Sequence, residues 1–250
     1  MILKIECKLK APLVLPINYQ YMVQSSIYQL LSYDTRGKGK KLHDEGAYYY
    51  NRVYKLFTFG RLHGDLRIDG KKIIFINRIF LEIRSLDKDI VNILSENIEK
   101  YGLYLGENYL EPYRLILKET DLEGNKIKIK MDSPITVYRT DENKKTIYYT
   151  PWDREFYNRI NDNLKRKYEA AHKVKFSAEQ FLKIEPQKIS DRDKVITKYK
   201  GFYIVGWTGE YQLQGENKLL RFLYDTGLGS KNAQGFGMFR IIDDEGTNKL

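Results

Sequence analysis

Periodic segments follow one another along this chain in an order that leaves few folds open. Residues 1–9 alternate apolar and polar side chains, the period of a strand. Pro12 and Pro16 mark a loop. Over residues 21–33, Met22, Ile27, Leu30 and Leu31 recur at helical spacing, with Gln24, Ser25 and Ser26 between them. Residues 54–62 read as a strand, and residues 72–83 as another after an Asp69-Gly70 turn. Ile90, Ile93, Leu94 and Ile98 share one face over residues 87–101, so the spacing predicts a second helix, with Gly102 as its stop. Residues 103–118 contain the last strand of this half.

The second half repeats the order. Residues 126–138 read as a strand, and Tyr148-Tyr149 as a short one before a loop at Pro151. Phe156, Ile160, Leu164 and Tyr168 recur every fourth residue, which predicts a helix over residues 152–171. Residues 181–189 read as a strand, and residues 194–214, rich in aromatic and β-branched side chains, hold a long one. A short helix over 217–226 and a strand over 236–242 complete the set. Each half therefore runs β-α-β-β-α-β, the ferredoxin-like order. The expected fold is α+β, with two such domains in tandem over residues 1–124 and 125–250 and a boundary near Gly124. Only the element order repeats; no sequence repeat is visible between the halves.

Composition narrows the function. Hydrophobic residues make up 42% of 250, enough for a core and too many for wholesale disorder. No apolar run approaches the roughly 20 residues of a membrane span, and the alternating N-terminus has no signal-peptide block. A cytoplasmic protein without membrane contact is expected. The single cysteine, Cys7, cannot form an intrachain disulfide and reads as a small buried hydrophobe. With three histidines beside it, soft ligands are too few for a structural zinc site, and no cofactor is expected. The net charge of +10 and 21 tyrosines suit a polyanion with unpaired bases.

The most informative segment is 227–237, Gly-Leu-Gly-Ser-Lys-Asn-Ala-Gln-Gly-Phe-Gly. Two Gly-hydrophobic-Gly units flank five residues that include Lys231. Glycines allow close backbone approach, so amide N–H groups can face phosphates while the lysine adds charge. No Gly-Lys-Ser/Thr ends the segment, so it is not a Walker A loop. It follows a helix and leads into a strand, the reverse of a dinucleotide fingerprint. The motifs that would accompany a kinase loop are missing.

The segment resembles the glycine-rich signature of the repeat-associated RNA-binding (RAMP) superfamily. The likeness extends to the branch of CRISPR repeat-RNA processing endoribonucleases. It runs through Asn18-Tyr19-Gln20-Tyr21 with Ile27-Tyr28, through Leu42-His43, through residues 54–59 (Tyr-Lys-Leu-Phe-Thr-Phe), and through Glu155-Phe156-Tyr157. The resemblance implies an endoribonuclease that cleaves precursor CRISPR RNA within its repeats without metal. In such chemistry the ribose 2′-hydroxyl attacks the adjacent phosphorus, leaving a 2′,3′-cyclic phosphate and a 5′-hydroxyl. It needs a base, an acid and positive charge at the phosphorane. In that family a histidine after the first helix, a tyrosine on that helix and a lysine opening the next strand do this work. The matching positions are His43 for proton transfer, Tyr28 for orienting or deprotonating the nucleophile, and Lys55 for the phosphorane, with Lys40 or Lys41 as alternatives to Lys55. The resemblance further implies RNA contact at Gly227, Gly229, Lys231, Gly235 and Gly237, with Arg36, Lys38 and Lys40 as weaker candidates. The partner is CRISPR repeat RNA, with other subunits of a CRISPR effector complex as further partners.

Two other readings compete. A non-catalytic RAMP subunit would bind CRISPR RNA without needing the three catalytic residues together. A pure RNA-binding module would use residues 200–207, Lys-Gly-Phe-Tyr-Ile-Val-Gly-Trp, which partly match an RRM signature. Nothing reads as a helix-turn-helix or zinc finger. His63 and His172 are expected to be structural or surface residues, and Asp191 and Asp193 to be solvated at a turn.

Overall fold

The computed structural model describes residues 1–34, 37, 46–177 and 181–243. The first half contains β1 (Ile2–Lys8), β2 (Leu13–Pro16), α1 (Gln20–Ser32), β3 (Ala47–Tyr49), β4 (Arg52–Tyr54), β5 (Phe57–Phe59), β6 (His63–Asp69), β7 (Lys72–Ser85), α2 (Lys88–Tyr101), β8 (Leu103–Leu105), β9 (Asn108–Leu110) and β10 (Pro112–Lys118). β7 is the beam of its antiparallel sheet. One of its edges carries β1, which also pairs with β10, and then β2; the other carries β5 and β6. The order β10-β1-β7-β5/β6 is the ferredoxin-like arrangement with its second strand broken in two.

Alternation on β1 sends Leu3, Ile5 and Cys7 inward, where they pack with Val23, Ile27 and Leu30 of α1 and Ile90, Ile93 and Leu94 of α2. Each such aliphatic side chain contributes about 1.5–3 kcal/mol on full burial. Cys7 is buried, as its place in the alternation requires, and burial pushes its thiol up to about 12. Asp87 caps α2 by accepting the Asp89 N–H at 2.9 Å, and Gly102 ends it.

The second half contains β11 (Lys126–Met131), β12 (Tyr138–Thr140), β13 (Thr146–Tyr148), α3 (Arg154–His172), β14 (Lys183–Lys188), β15 (Lys194–Tyr199), β16 (Phe202–Trp207), β17 (Glu210–Gln214), α4 (Asn217–Thr226) and β18 (Phe239–Ile242). Its sheet runs β14-β17-β11-β18, the same arrangement. Two hairpins are inserted, β12–β13 ahead of α3 and β15–β16 ahead of β17. Both units are therefore ferredoxin-like.

Four points differ from what the sequence led one to expect. The strand expected over 126–138 stops at Met131, where the Asp132 and Ser133 N–H groups both turn to Met238 O just ahead of Pro134. The long strand expected over 194–214 folds back at Lys200-Gly201, whose φ values of 47° and 89° make a tight turn, giving β15 and β16 before β17. β6 was not foreseen; Leu66 and Ile68 alternate with Asp65, Arg67 and Asp69 along it, but both stay exposed and add nothing to the core. Asp193, expected to be solvated, instead accepts the Ser190 N–H at 2.9 Å and closes a capping box.

The two sheets are tied by polar contacts. The Arg84 guanidinium, buried at the end of β7, donates to Phe239 O at 2.7 Å and lies 3.6 Å from the Tyr224 ring centre. His63 Nε2 meets Asp132 Oδ1 at 2.6 Å. Lys198 N–H donates to Asn18 Oδ1 at 3.1 Å. No helix among the described residues is long and apolar enough to cross a membrane.

Candidate functional site

Between the halves lies an open cleft of about 540 Å³. One wall comes from the first half, with Gln24 and Tyr28 of α1 and the segment from Arg52 to Lys55. The other wall is Tyr138, Arg139 and Thr140 of β12, one face of α3, and the middle of the glycine-rich loop. The β3–β4 hairpin holds the walls together, because Tyr49 hydrogen-bonds to Glu169 of α3.

Among the described residues the lining holds Arg52, Lys55, Arg139, Arg159, Arg166 and Lys231 against one carboxylate, Asp162, with Lys167 buried behind them. Six cations facing one anion make a field that concentrates polyanions. Arg159 pairs with Glu155 at 2.8 Å, and Arg166 lies 4.0 Å from Asp162. Both remain on the cleft face, since Arg159, Asn163 and Arg166 follow helical spacing. Lys231 Nζ lies 5.1 Å from the centre of the Tyr138 ring.

The structure thus brings Tyr28, Lys55 and the loop residues Gly229 and Lys231 into one cleft. Tyr28 packs edge-on against Phe57, with ring centres 5.9 Å apart. Burial pushes its phenol above the ordinary tyrosine range, so at neutral pH it is a protonated hydrogen-bond donor. His43, Arg36, Lys38, Lys40 and Lys41 lie outside the described residues. Gly46, three residues after His43, packs against Val53, Tyr54 and Lys55. His63 is engaged by Asp132, and His172 packs at a tilt against Tyr168 with ring centres 4.3 Å apart.

The glycine-rich loop is folded tightly. Leu228 N–H donates to Gly237 O at 2.8 Å, Ser230 N–H to Thr136 O at 3.0 Å, and Gly237 N–H to Pro134 O at 2.9 Å. Gly235 sits under the Phe59 ring of β5. Gln24 Nε2 donates to Ala233 O at 2.7 Å and Gln24 also bonds with Tyr199, so α1 grips the loop from the other half. Gly227, Gly229, Gly235 and Gly237 are buried, while Ser230, Lys231, Ala233 and Gln234 are partly exposed.

Beneath the loop, the Lys167 side chain is only 2% exposed. Its Nζ donates to Gly227 O at 2.6 Å, Asn232 Oδ1 at 3.1 Å and Thr226 O at 3.4 Å. Burial pulls this ammonium down to about 7. Sequence reasoning passed over Lys167, Asn232 and the cleft arginines. A signal for Lys167 was present: the buried stripe Phe156, Ile160, Leu164, Lys167, Ala170 puts a lysine on the apolar face of α3.

Two ferredoxin-like units, a glycine-rich loop wedged between them and a cation-lined cleft define a tandem ferredoxin-like protein shaped to hold a polyanion. The family model described as CRISPR associated protein Cas6, C-terminal, matches residues 116–241. The CRISPR-associated endoribonuclease Cas6 1 of Methanocaldococcus jannaschii is 27% identical over 254 residues, covering 93% of this chain and 89% of that protein. The CRISPR-associated endoribonuclease Cas6 of Pyrococcus furiosus is 23% identical, covering 94% and 86%. A solved structure titled CRISPR associated protein Cas6 superposes with a TM-score of 0.80 at 25% identity, covering 97% of this chain and 99% of that one. The chain belongs to the CRISPR-associated Cas6 family.

Proposed function

We propose that this protein is an endoribonuclease that cuts precursor CRISPR RNA within its repeats, in the cytoplasm and without a metal ion. The observation that carries the reading is the convergence of Tyr28, Lys55 and the glycine-rich loop in one cleft lined by cationic side chains. The relatives named as CRISPR-associated endoribonucleases, matched over more than nine-tenths of this chain, support the same activity. Other subunits of an effector complex are proposed as further partners.

The chemistry follows from the donor set. RNA phosphates lie along the cationic lining, with Lys231 and the exposed part of the loop on one wall. The buried glycines shape that loop, and their proposed contact with RNA runs through the backbone they fold. The 2′-hydroxyl beside the cut site attacks phosphorus, and the 5′-oxygen leaves. His43 transfers protons, Lys55 neutralises the phosphorane, and the Tyr28 phenol orients the nucleophile by donating to it. We assign the catalytic residues to the half before Gly124 and the glycine-rich loop to the half after it.

The test is incubation with the host repeat RNA in excess EDTA, wild type beside His43→Ala, and an RNA carrying one 2′-deoxy nucleotide at the cut site. A single cut with a 2′,3′-cyclic phosphate end is expected from wild type alone. The deoxy RNA should bind and stay whole. Cleavage of the deoxy RNA at the normal rate would overturn the mechanism. Binding without any cleavage would favour a non-catalytic RNA-binding subunit.

A further inference from the structure

The glycine-rich loop has an internal polar core whose partners come from another element. Asn232 is the middle residue of the five between the two Gly-hydrophobic-Gly units. Its Nδ2 donates to Leu228 O at 2.9 Å and to Phe236 O at 3.1 Å. Leu228 and Phe236 are the central hydrophobes of the two units, so one side-chain amide joins them. The outer glycines make room for that amide. A Cβ on Gly227 would lie 2.7 Å from Asn232 Nδ2, and one on Gly237 2.6 Å from it. Both amide protons are then committed, and the one remaining polar atom, Oδ1, accepts from Lys167 Nζ at 3.1 Å.

We propose that Lys167 and Asn232 are positioning residues: Lys167 fixes the Asn232 amide, Asn232 fixes the distance between the two glycine units, and that spacing aims Lys231 at RNA. The inference rests on the RNA-cleaving reading and adds two residues to it. Its energetic basis is the low dielectric beneath the loop. A buried amide that loses one partner leaves polar atoms unpaired, which water cannot compensate there. The loop therefore has one arrangement that satisfies every member of the network. Lys231, adjacent to Asn232, inherits that arrangement through a left-handed backbone at φ 63°.

Direction of bonding discriminates this role from filling of space. Carbonyl oxygens surround Asn232 Nδ2, so an aspartate there keeps the shape and reverses the polarity. Lys167 reaches three oxygens with three N–H groups, so methionine keeps the volume and loses all three bonds.

The experiment is a double-mutant cycle on RNA affinity, together with amide hydrogen exchange, using the full chain. Lys167→Met and Asn232→Asp are each made with and without Lys231→Ala, and binding of the host repeat RNA is titrated. Lys167→Met is expected to weaken binding at least about 10-fold with Lys231 present and less than about 3-fold with Lys231→Ala, because the loop then has little left to aim. An equal loss in both backgrounds overturns the positioning role, since a general loss of folded protein acts alike in both. Exchange is read without RNA. The Leu228 and Gly237 amides should exchange at least about 10-fold faster in either variant, with β11 amides unchanged. Unchanged loop exchange overturns the proposal. If Lys167→Met does not fold, Asn232→Asp carries both readouts. A wild type that binds no repeat RNA overturns the underlying function instead, and exchange still decides whether Lys167 and Asn232 set the loop.

Discussion

Replacing Gly237 by alanine tests whether the loop is as rigidly packed as its contacts require. Gly237 has φ 79°, and a Cβ there would fall far inside van der Waals distance of Leu228 O. A left-handed alanine costs about 1–2 kcal/mol. The clash can be relieved only by moving Leu228 away, which breaks the Leu228 N–H bond to Gly237 O and disturbs the Gly237 N–H bond to Pro134 O. At about 1 kcal/mol per net hydrogen bond, the total is about 3–4 kcal/mol. With about 2–4 °C per kcal/mol for a chain of this size, Tm should fall by about 6–16 °C. Gly201→Ala is the control. Its φ of 89° is similarly left-handed, but nothing lies within 4 Å of the added carbon. Only the conformational cost applies there, so Tm should fall by about 2–8 °C. Thermal unfolding followed by circular dichroism compares the two. Equal losses would refute the packing argument and leave backbone conformation as the whole effect.

Two further outcomes follow from the charges. Arg52→Ala and Arg139→Ala should each lower RNA affinity and reduce the slope of log affinity against log salt by about 0.7, the value for one phosphate contact on a single strand. Titration over a range of salt measures this, and an unchanged slope would remove that arginine from the RNA path. The hydrogen bond to Asp132 raises the His63 pKa, outweighing burial and the nearby Arg240 and Arg61 charges, which lower it. The unfolded histidine titrates near about 6.5. The stabilisation is therefore full below that pH and is lost as pH rises through the higher folded value. Because the His63 side chain is 52% exposed, the effect should stay below about 1 kcal/mol. Urea midpoints of wild type and Asp132→Asn should converge with rising pH; parallel curves would contradict the assignment.

Much of the fold was legible because helices announce themselves locally. The expected and observed spans of α4 coincide at residues 217–226, where apolar spacing ends in Gly227. The β15–β16 hairpin was read as one strand because Lys200-Gly201 lies inside a continuous aromatic and β-branched run, and its turn depends on two left-handed residues. β6 was missed although Leu66 and Ile68 alternate with charged residues, and both of them stay exposed in the strand. The cleft was less legible for a different reason. Arg52, Arg139, Arg159 and Lys231 come from four separate elements or loops, and only the meeting of two sheets assembles them. Asn232 was hidden because its partners are backbone carbonyls, to which side-chain identity in the sequence gives no clue.

The buried Arg84 has a consequence for how the chain is made on the ribosome. Its local partner Glu82 is on the same strand, but its 2.7 Å acceptor, Phe239 O, comes 155 residues later. At about 5–20 residues per second, synthesis takes about 8–30 s to cover that distance. Until Tyr224 is made, 140 residues on, the guanidinium has only water and Glu82, and the loop that covers Phe59 does not yet exist. The first half thus emerges with an open flank, and its closure waits for the last strand. Cells translating this message more slowly would hold that flank exposed for longer, giving chaperones and proteases a larger share of the nascent chains.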